Sequence, residues 1–225
     1  MARINQNVLF SVSNRTGLLD LATAFSDFGY GLIATGKTCQ YLSENNLVVQ
    51  DVSGVTGFPE ILDGRVKTLH PHIHGGILAR RDLPDHMDEL SKLDISSIDV
   101  VVVNLYPFIE SVKDTEIQLN DAIEQIDIGG VALMRAAAKN YQHVVLLSDP
   151  LNYKLVLERL SQKSNGANIV DIITLEERQK FGIQAFEMVS YYDSAISSYL
   201  SKNIYPVGDQ YSVGLKKLSD LRYGE

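Results

Sequence analysis

The sequence predicts an α/β fold: a mostly parallel sheet covered by helices, with a helical extension toward the C-terminus. Three observations carry this. Short apolar, β-branched runs alternate with amphipathic segments from residue 8 to residue 150, joined by short connections. One run, Ile98–Leu105, holds four consecutive valines, as a strand buried on both faces does. After Pro150 the strand pattern stops, and residues 151–202 keep helical patterning with a polar break at Ser161–Ala167.

The elements follow in order. Val8–Ser13 is the first strand, and Asn14–Gly17 turns into a helix with Leu18, Leu21, Ala22, Phe25 and Phe28 on its inner side. Gly31–Thr35 is the second strand, followed by a tight Gly36-Lys37-Thr38 turn into a helix over Cys39–Glu44. Leu47–Val52 is the third. Asp51–Glu60 is glycine-rich and irregular, and leads into the stretch Gly64–Gly76. A charged helix covers Pro84–Leu93, and the valine-rich strand ends in Asn104-Leu105-Tyr106-Pro107-Phe108. A helix over Ile117–Gln125 precedes Ile126-Asp127-Ile128-Gly129-Gly130 and a second helix, Val131–Asn140, on which Arg135 and Lys139 share a face. His143–Leu147 is the last strand. Beyond Tyr205 no periodicity remains, so 204–225 reads as a linker after a core at 1–150 and a helical extension at 151–203.

Composition narrows the function. With 28 acidic and 20 basic residues the net charge is −8, which argues against general nucleic-acid binding. The single cysteine, Cys39, cannot form an internal disulfide, as suits a reducing cytoplasm. No apolar run approaches the ~20 residues that span a bilayer, and residues 1–7 are polar, so neither membrane nor signal peptide is expected.

Gly64–Gly76 concentrates the chemistry. Arg65, Lys67, His70, His72 and His74 lie between glycines, and in an extended segment Arg65 and Lys67 would face one side. Such a stretch suits the wall of a pocket for an anionic, ring-bearing ligand. The alternating histidines raise a zinc site, but no acidic or thiolate ligand stands nearby, so no metal is expected. Gly31–Thr38 matches the P-loop pattern, yet its four middle residues, Leu-Ile-Ala-Thr, read as strand rather than as a phosphate-wrapping loop. A milder reading survives. Thr35, Gly36, Lys37 and Thr38 at a helix start, with Ser11, Ser13 and Arg15 at the neighbouring strand end, suit one phosphate. Asn104 and Tyr106 fall at the carboxyl end of a strand, where α/β sheets bind ligands. Asp127 could manage a proton beside Gly129 and Gly130, or could only cap its helix with Lys139 in solvent.

Ser11-Val12-Ser13, Thr35-Gly36-x-Thr38, Thr56-Gly57-Phe58-Pro59-Glu60, Gly64 to Pro71, Asn104 to Phe108, Asp127 to Gly130 and Ala136 to Asn140 occur in that order. Together they resemble the IMP cyclohydrolase domain of the bifunctional purine-biosynthesis enzymes, densely over 8–150 and more loosely to 203. The chain departs from the family pattern at Asn14-Arg15, where Asp-Lys is usual, and at Gly36-Lys37, where Gly-Gly is usual.

The resemblance implies a methylglyoxal-synthase-like three-layer fold and the last step of IMP synthesis. In that step the formamidoimidazole-carboxamide ribotide (FAICAR) closes its ring and loses water, without metal or organic cofactor. It implies Lys67, Tyr106, Asp127 and Lys139 as catalytic residues: Asp127 for the carboxamide proton, Lys67, Tyr106 and the amide near Ile128 for the oxyanion, and Lys139 holding Asp127. It implies Ser11, Ser13, Arg15, Thr35, Gly36, Lys37 and Thr38 around the phosphate, with Arg65, Thr68 and Asn104 near the base and Ile128, Gly129 and Gly130 also binding substrate. A cytoplasmic homodimer is implied, with Leu215–Glu225 resembling the entry to a formyltransferase domain. The alternative is a regulatory module of the same fold that binds a phosphorylated effector.

Overall fold

The computed structural model describes residues 6–114, 116–162, 167–202, 209–217 and 219, which fall into two compact units. The first holds the chain as far as Leu105 together with Asp127–Phe186. The second holds Tyr106–Ile126 and the chain from Glu187 onward.

The first unit is built on five parallel strands: β1 (Asn7–Ser11), β2 (Gly31–Ala34), β3 (Val49–Asp51), β4 (Val100–Val103) and β5 (Val145–Leu147). Their order is β3-β2-β1-β4-β5, with Val8 beside Leu32 on one side and Val100 on the other. The chain winds outward from β1 through β2 and β3, then crosses to β4 and β5. Such a reversal opens a crevice at the carboxyl ends of β1 and β4, where this class of sheet takes its ligand. All four valines of β4 are buried, the outcome of covering both faces of the sheet.

Alternation along the strands feeds two layers. Val8, Phe10, Val100, Val102, Val145 and Leu147 join Leu18, Leu21 and Phe25 of α1 (Leu18–Asp27) and Val156 and Leu160 of α9 (Tyr153–Ser161) in one core. On the sheet's other side α8 (Gly129–Lys139) lies on β4 and β5 and packs against α4 (Pro71–Leu78). The polar break after α9 is followed by α10 (Ile169–Ile172) and α11 (Leu175–Ser201).

Several elements differ from the sequence reading. The helix expected from Cys39 starts earlier, as α2 (Gly36–Glu44), because Gly36 to Thr38 are its first turn. The third strand is trimmed, and Val52 opens a short helix, α3 (Val52–Thr56), capped by the Asp51 carboxylate accepting from the Ser53 N–H at 2.9 Å. The histidine stretch is not extended. Pro71 supplies the first residue of α4, and His70 caps it by accepting the His72 N–H on Nδ1 at 3.2 Å. Gly76 needs its missing side chain there, since a Cβ would stand 2.5 Å from the Ser96 carbonyl. The charged helix forms as α5 (Pro84–Lys92).

In the second unit, α6 (Phe108–Ser111) and α7 (Leu119–Glu124) accompany the later turns of α11. Phe108 is buried with its ring edge-on to Tyr192 and Tyr199, at 6.0 and 5.7 Å. The Tyr192 hydroxyl donates to the Gln125 carbonyl at 3.0 Å.

Candidate active site

The crevice between β1 and β4 is closed by one side chain. Asn104, just past β4, accepts the Ser13 and Asn14 N–H groups on Oδ1 at 2.7 and 2.9 Å and donates from Nδ2 to the Asn14 carbonyl at 2.9 Å. Both acceptor positions and one donor are used. Asn104, expected near the base, instead braces the loop after β1. That loop carries Ser13 and Arg15, and Ser11 ends β1 just before it.

Beside it stands the N-terminus of α2. Thr35 is its N-cap, yet the Thr35 hydroxyl makes no cap bond and donates to Ser11 Oγ at 3.3 Å. Thr38 is 3% exposed. Its hydroxyl donates to the Val12 carbonyl at 3.2 Å, and its N–H donates to the Thr35 carbonyl at 2.8 Å. Thr38, expected around the phosphate, is therefore a latch tying α2 to β1. The amides of Gly36 and Lys37 have no acceptor within the helix, being in its first turn, and an uncapped helix start of this kind suits an anion. Arg15 stands over that turn, donating to the Lys37 carbonyl at 3.1 Å with its guanidinium 4.7 Å from the Tyr41 ring centre. The P-loop reading fails here, because Gly31–Ala34 is strand.

Lys67 reaches the same turn from a hairpin. Ile61 and Val66 form an antiparallel bridge, and Leu62, Asp63 and Gly64 turn the chain with φ of 55°, 53° and 87°. Arg65 lies exposed in this turn rather than alternating with Lys67 along a strand. Glu60 and Lys67 flank the hairpin and meet across its mouth, Nζ to Oε2, at 3.1 Å. A Cβ on Gly64 would stand 2.6 Å from Glu60 Oε1 and 2.9 Å from Lys67 Nζ, so glycine serves both the turn and the pair. The pair lies over α2, because a Cβ on Gly36 would be 3.5 Å from Nζ and 3.6 Å from Oε2. Thr35, Gly36, Ser53, Phe58, Glu60 and Lys67 line the resulting solvent-open cleft. Sequence reasoning did not single out Glu60. The signal was there: Asp63-Gly64 is a turn pair centred between Ile61 and Val66, which sets 60 opposite 67.

Thr68, the next residue, is buried against a second helix start. Its Oγ1 would be 3.1 Å from a Cβ on Gly129, the first residue of α8. Asp127 Oδ1 accepts the Gly130 N–H at 2.7 Å, and a Cβ on Gly130 would stand 2.6 Å from Oδ2, so the two glycines let Thr68 and Asp127 close on this turn. Ile128 is exposed beside it.

Lys139 does not join them. It ends α8, whose eleven residues put about 16 Å of helix between Asp127 and Lys139, so Lys139 cannot hold Asp127 within one chain. Because β5 runs parallel to β4, α8 must run back along the sheet, and Lys139 lies at the amino ends of the strands. Tyr106 belongs to the second unit, where its carbonyl accepts the Phe108 N–H at 2.8 Å. His70 and His72 are tied locally, His72 by Nδ1 to the Val55 carbonyl at 3.1 Å. Among the described residues no group of three His, Cys, Asp or Glu could hold a metal ion.

A doubly wound parallel sheet with two helix starts and two cations at its carboxyl end defines an α/β domain of the class that takes its ligands at that end. The chain belongs to the MGS-like domain family, whose profile matches residues 17–132. Residues 137–225 match the profile described as AICARFT/IMPCHase bienzyme. Over 96% of its length the chain is 46% identical to the bifunctional purine biosynthesis protein purH of Dictyostelium discoideum, and it spans 44% of that protein's length. Among solved structures it is similar to the crystal structure of ForH, with a TM-score of 0.75 and 32% identity, covering 87% of this chain and 99% of that one.

Proposed function

We propose that this chain is an IMP cyclohydrolase, closing FAICAR to IMP and water. The observation that carries the reading is that two consecutive residues touch two helix starts: Lys67 lies over Gly36 of α2 and Thr68 lies against Gly129 of α8. One ligand spanning that step would set its phosphate at α2, under Arg15 and the Gly36 and Lys37 amides, and its reacting ring at α8.

In the reaction the carboxamide nitrogen adds to the formyl carbon, and the formyl oxygen becomes an alkoxide. That oxygen leaves as water, with one proton from the carboxamide nitrogen and one from the formamide nitrogen. Asp127 takes the carboxamide proton. Lys67 and the first-turn amide of α8 stabilise the oxyanion, with Tyr106 assigned to the same task by the resemblance. Holding both ends of the ribotide also orders an intramolecular attack. Lys139 is left without a role in this cleft.

The longer relatives support a second proposal: that the parent protein also carries AICAR formyltransferase activity, with residues 204–225 leading toward that domain and 151–203 packing on the core or on a partner subunit. The assembly we propose is a cytoplasmic homodimer. The test is to incubate the protein with FAICAR and follow IMP absorbance, with and without EDTA. Turnover unaffected by EDTA is the expected result; no IMP from the folded protein would contradict the reading.

A further inference from the structure

We infer that Glu60 is the positioning residue for Lys67: it holds the lysine ammonium over the first turn of α2, so that the cation is in place before substrate arrives. The inference rests on the cyclohydrolase reading above and adds a residue that reading does not use.

A lysine on a surface loop has four rotatable bonds, and ordering them at the moment of reaction opposes catalysis. Lys67 is 27% exposed and its partner 43%, so on area alone the pair is too open to matter for stability. The hairpin that builds it is nevertheless demanding. Leu62 and Asp63 adopt left-handed φ values that side chains rarely take, and Gly64 continues the same turn. Strain of this kind, spent on a solvent-facing ion pair, is better explained by where it puts Nζ than by any gain in folding energy. Gly64 reports the same constraint, since a Cβ would collide with both members of the pair. On the far side, Gly36 leaves the ammonium and the carboxylate within van der Waals reach of α2.

Glu60 touches no reacting atom in this scheme and acts through Lys67. Glu60→Ala should lower kcat for IMP formation by about 10- to 100-fold, the scale of a misplaced catalytic group, with KM changed less than about twofold. Glu60→Gln, which keeps an acceptor oxygen, should lose less. In a Lys67→Met background Glu60→Ala should cause no further loss, because the two residues act as one unit. Gly64→Ala, which alters neither partner, should reproduce the kcat loss. A Glu60→Ala enzyme with wild-type kcat would overturn the inference, as would an equal further loss in the Lys67→Met background. A lowered unfolding midpoint with unchanged turnover per folded molecule would mean Glu60 only anchors the hairpin, and would also overturn it. A wild-type protein that makes no IMP would bring down the cyclohydrolase reading itself, so the two failures are told apart by the first arm.

Discussion

The two ends of the sheet in the first unit both carry buried or half-buried polar side chains, and they use them in opposite ways. At the amino ends, Arg81 donates to the carbonyls of Gly76, Ile77, Ala79 and Ile98, and Asn140 donates to those of Ile77 and Ala79 at 2.7 and 2.9 Å. These are largely the orphan carbonyls at the C-terminus of α4, which a helix end must hand to something. Asp99 accepts the Asn7 N–H at 3.1 Å and lies 4.0 Å from Arg81. Burial is the main cause that pushes the Asp99 carboxyl up and the Arg81 guanidinium down from their ordinary values. At the carboxyl ends the situation is reversed. Helix donors at α2 lack a side-chain cap, and the ion pair beside them stays accessible. A charge whose hydrogen bonds are consumed by the fold is architecture; a charge left beside open amides is available to a ligand.

That contrast can be broken by substitution. The largest effect should come from the end with no chemistry. Arg81→Met removes a guanidinium that four carbonyls share and leaves the buried Asp99 carboxylate without its cation, and should cost about 3–5 kcal/mol in urea unfolding, with turnover per folded molecule unchanged. Lys67→Met should do the converse, lowering kcat by ~100-fold or more while moving unfolding by less than ~1 kcal/mol. Asp127→Ala should show both signatures, a ~100-fold loss in kcat and about 1 kcal/mol from the lost cap on α8. Arg15→Ala removes one charge-assisted contact and should weaken IMP binding by about 10-fold in a calorimetric titration, with little change in kcat.

The smallest effect concerns α4, which runs between the two ends. Burial lowers the His74 pKa, and among the described residues its buried Nε2 has no hydrogen-bond partner. A depressed folded-state value means the unfolded chain takes up the proton first. The stability is therefore present above about pH 6.5 and lost as pH falls through the folded value. Thermal unfolding from pH 7.5 to 5 should show that loss, and His74→Leu should flatten it.

The same contrast explains what was legible in the sequence. β1, β2, β4 and β5 are visible as apolar runs because the sheet is covered where they lie, whereas β3, Val49-Gln50-Asp51 at the edge, is not buried; α1 is visible because Leu18, Leu21, Ala22 and Phe25 recur at helical spacing. The phosphate end was legible in kind, since hydroxyls, glycine and cations cluster at two strand ends. Its division of labour was not. Thr38 and Asn104 look like ligand groups until the fold shows their hydrogen bonds consumed by Val12 and by Ser13 and Asn14. α4 is not legible because Gly64–Gly76 shows no helical apolar pattern, and only the fold reveals Pro71 as the opening of a first helical turn. Lys139 shares a motif-rich segment with Asp127, but sequence proximity hides a full helix of separation. Glu60 needed the hairpin, whose three left-handed residues depend on tertiary context.

The central claim is that a nucleotide is gripped at the carboxyl ends of the strands, between the starts of α2 and α8. An amide-resolved NMR titration of the labelled protein with IMP tests it most directly. The account predicts saturable shifts at Gly36, Lys37 and Gly129, with the amides around Arg81 and Asn140 unmoved. Shifts confined to the Arg81 end, or saturable binding that leaves Gly36 and Gly129 untouched, would contradict it.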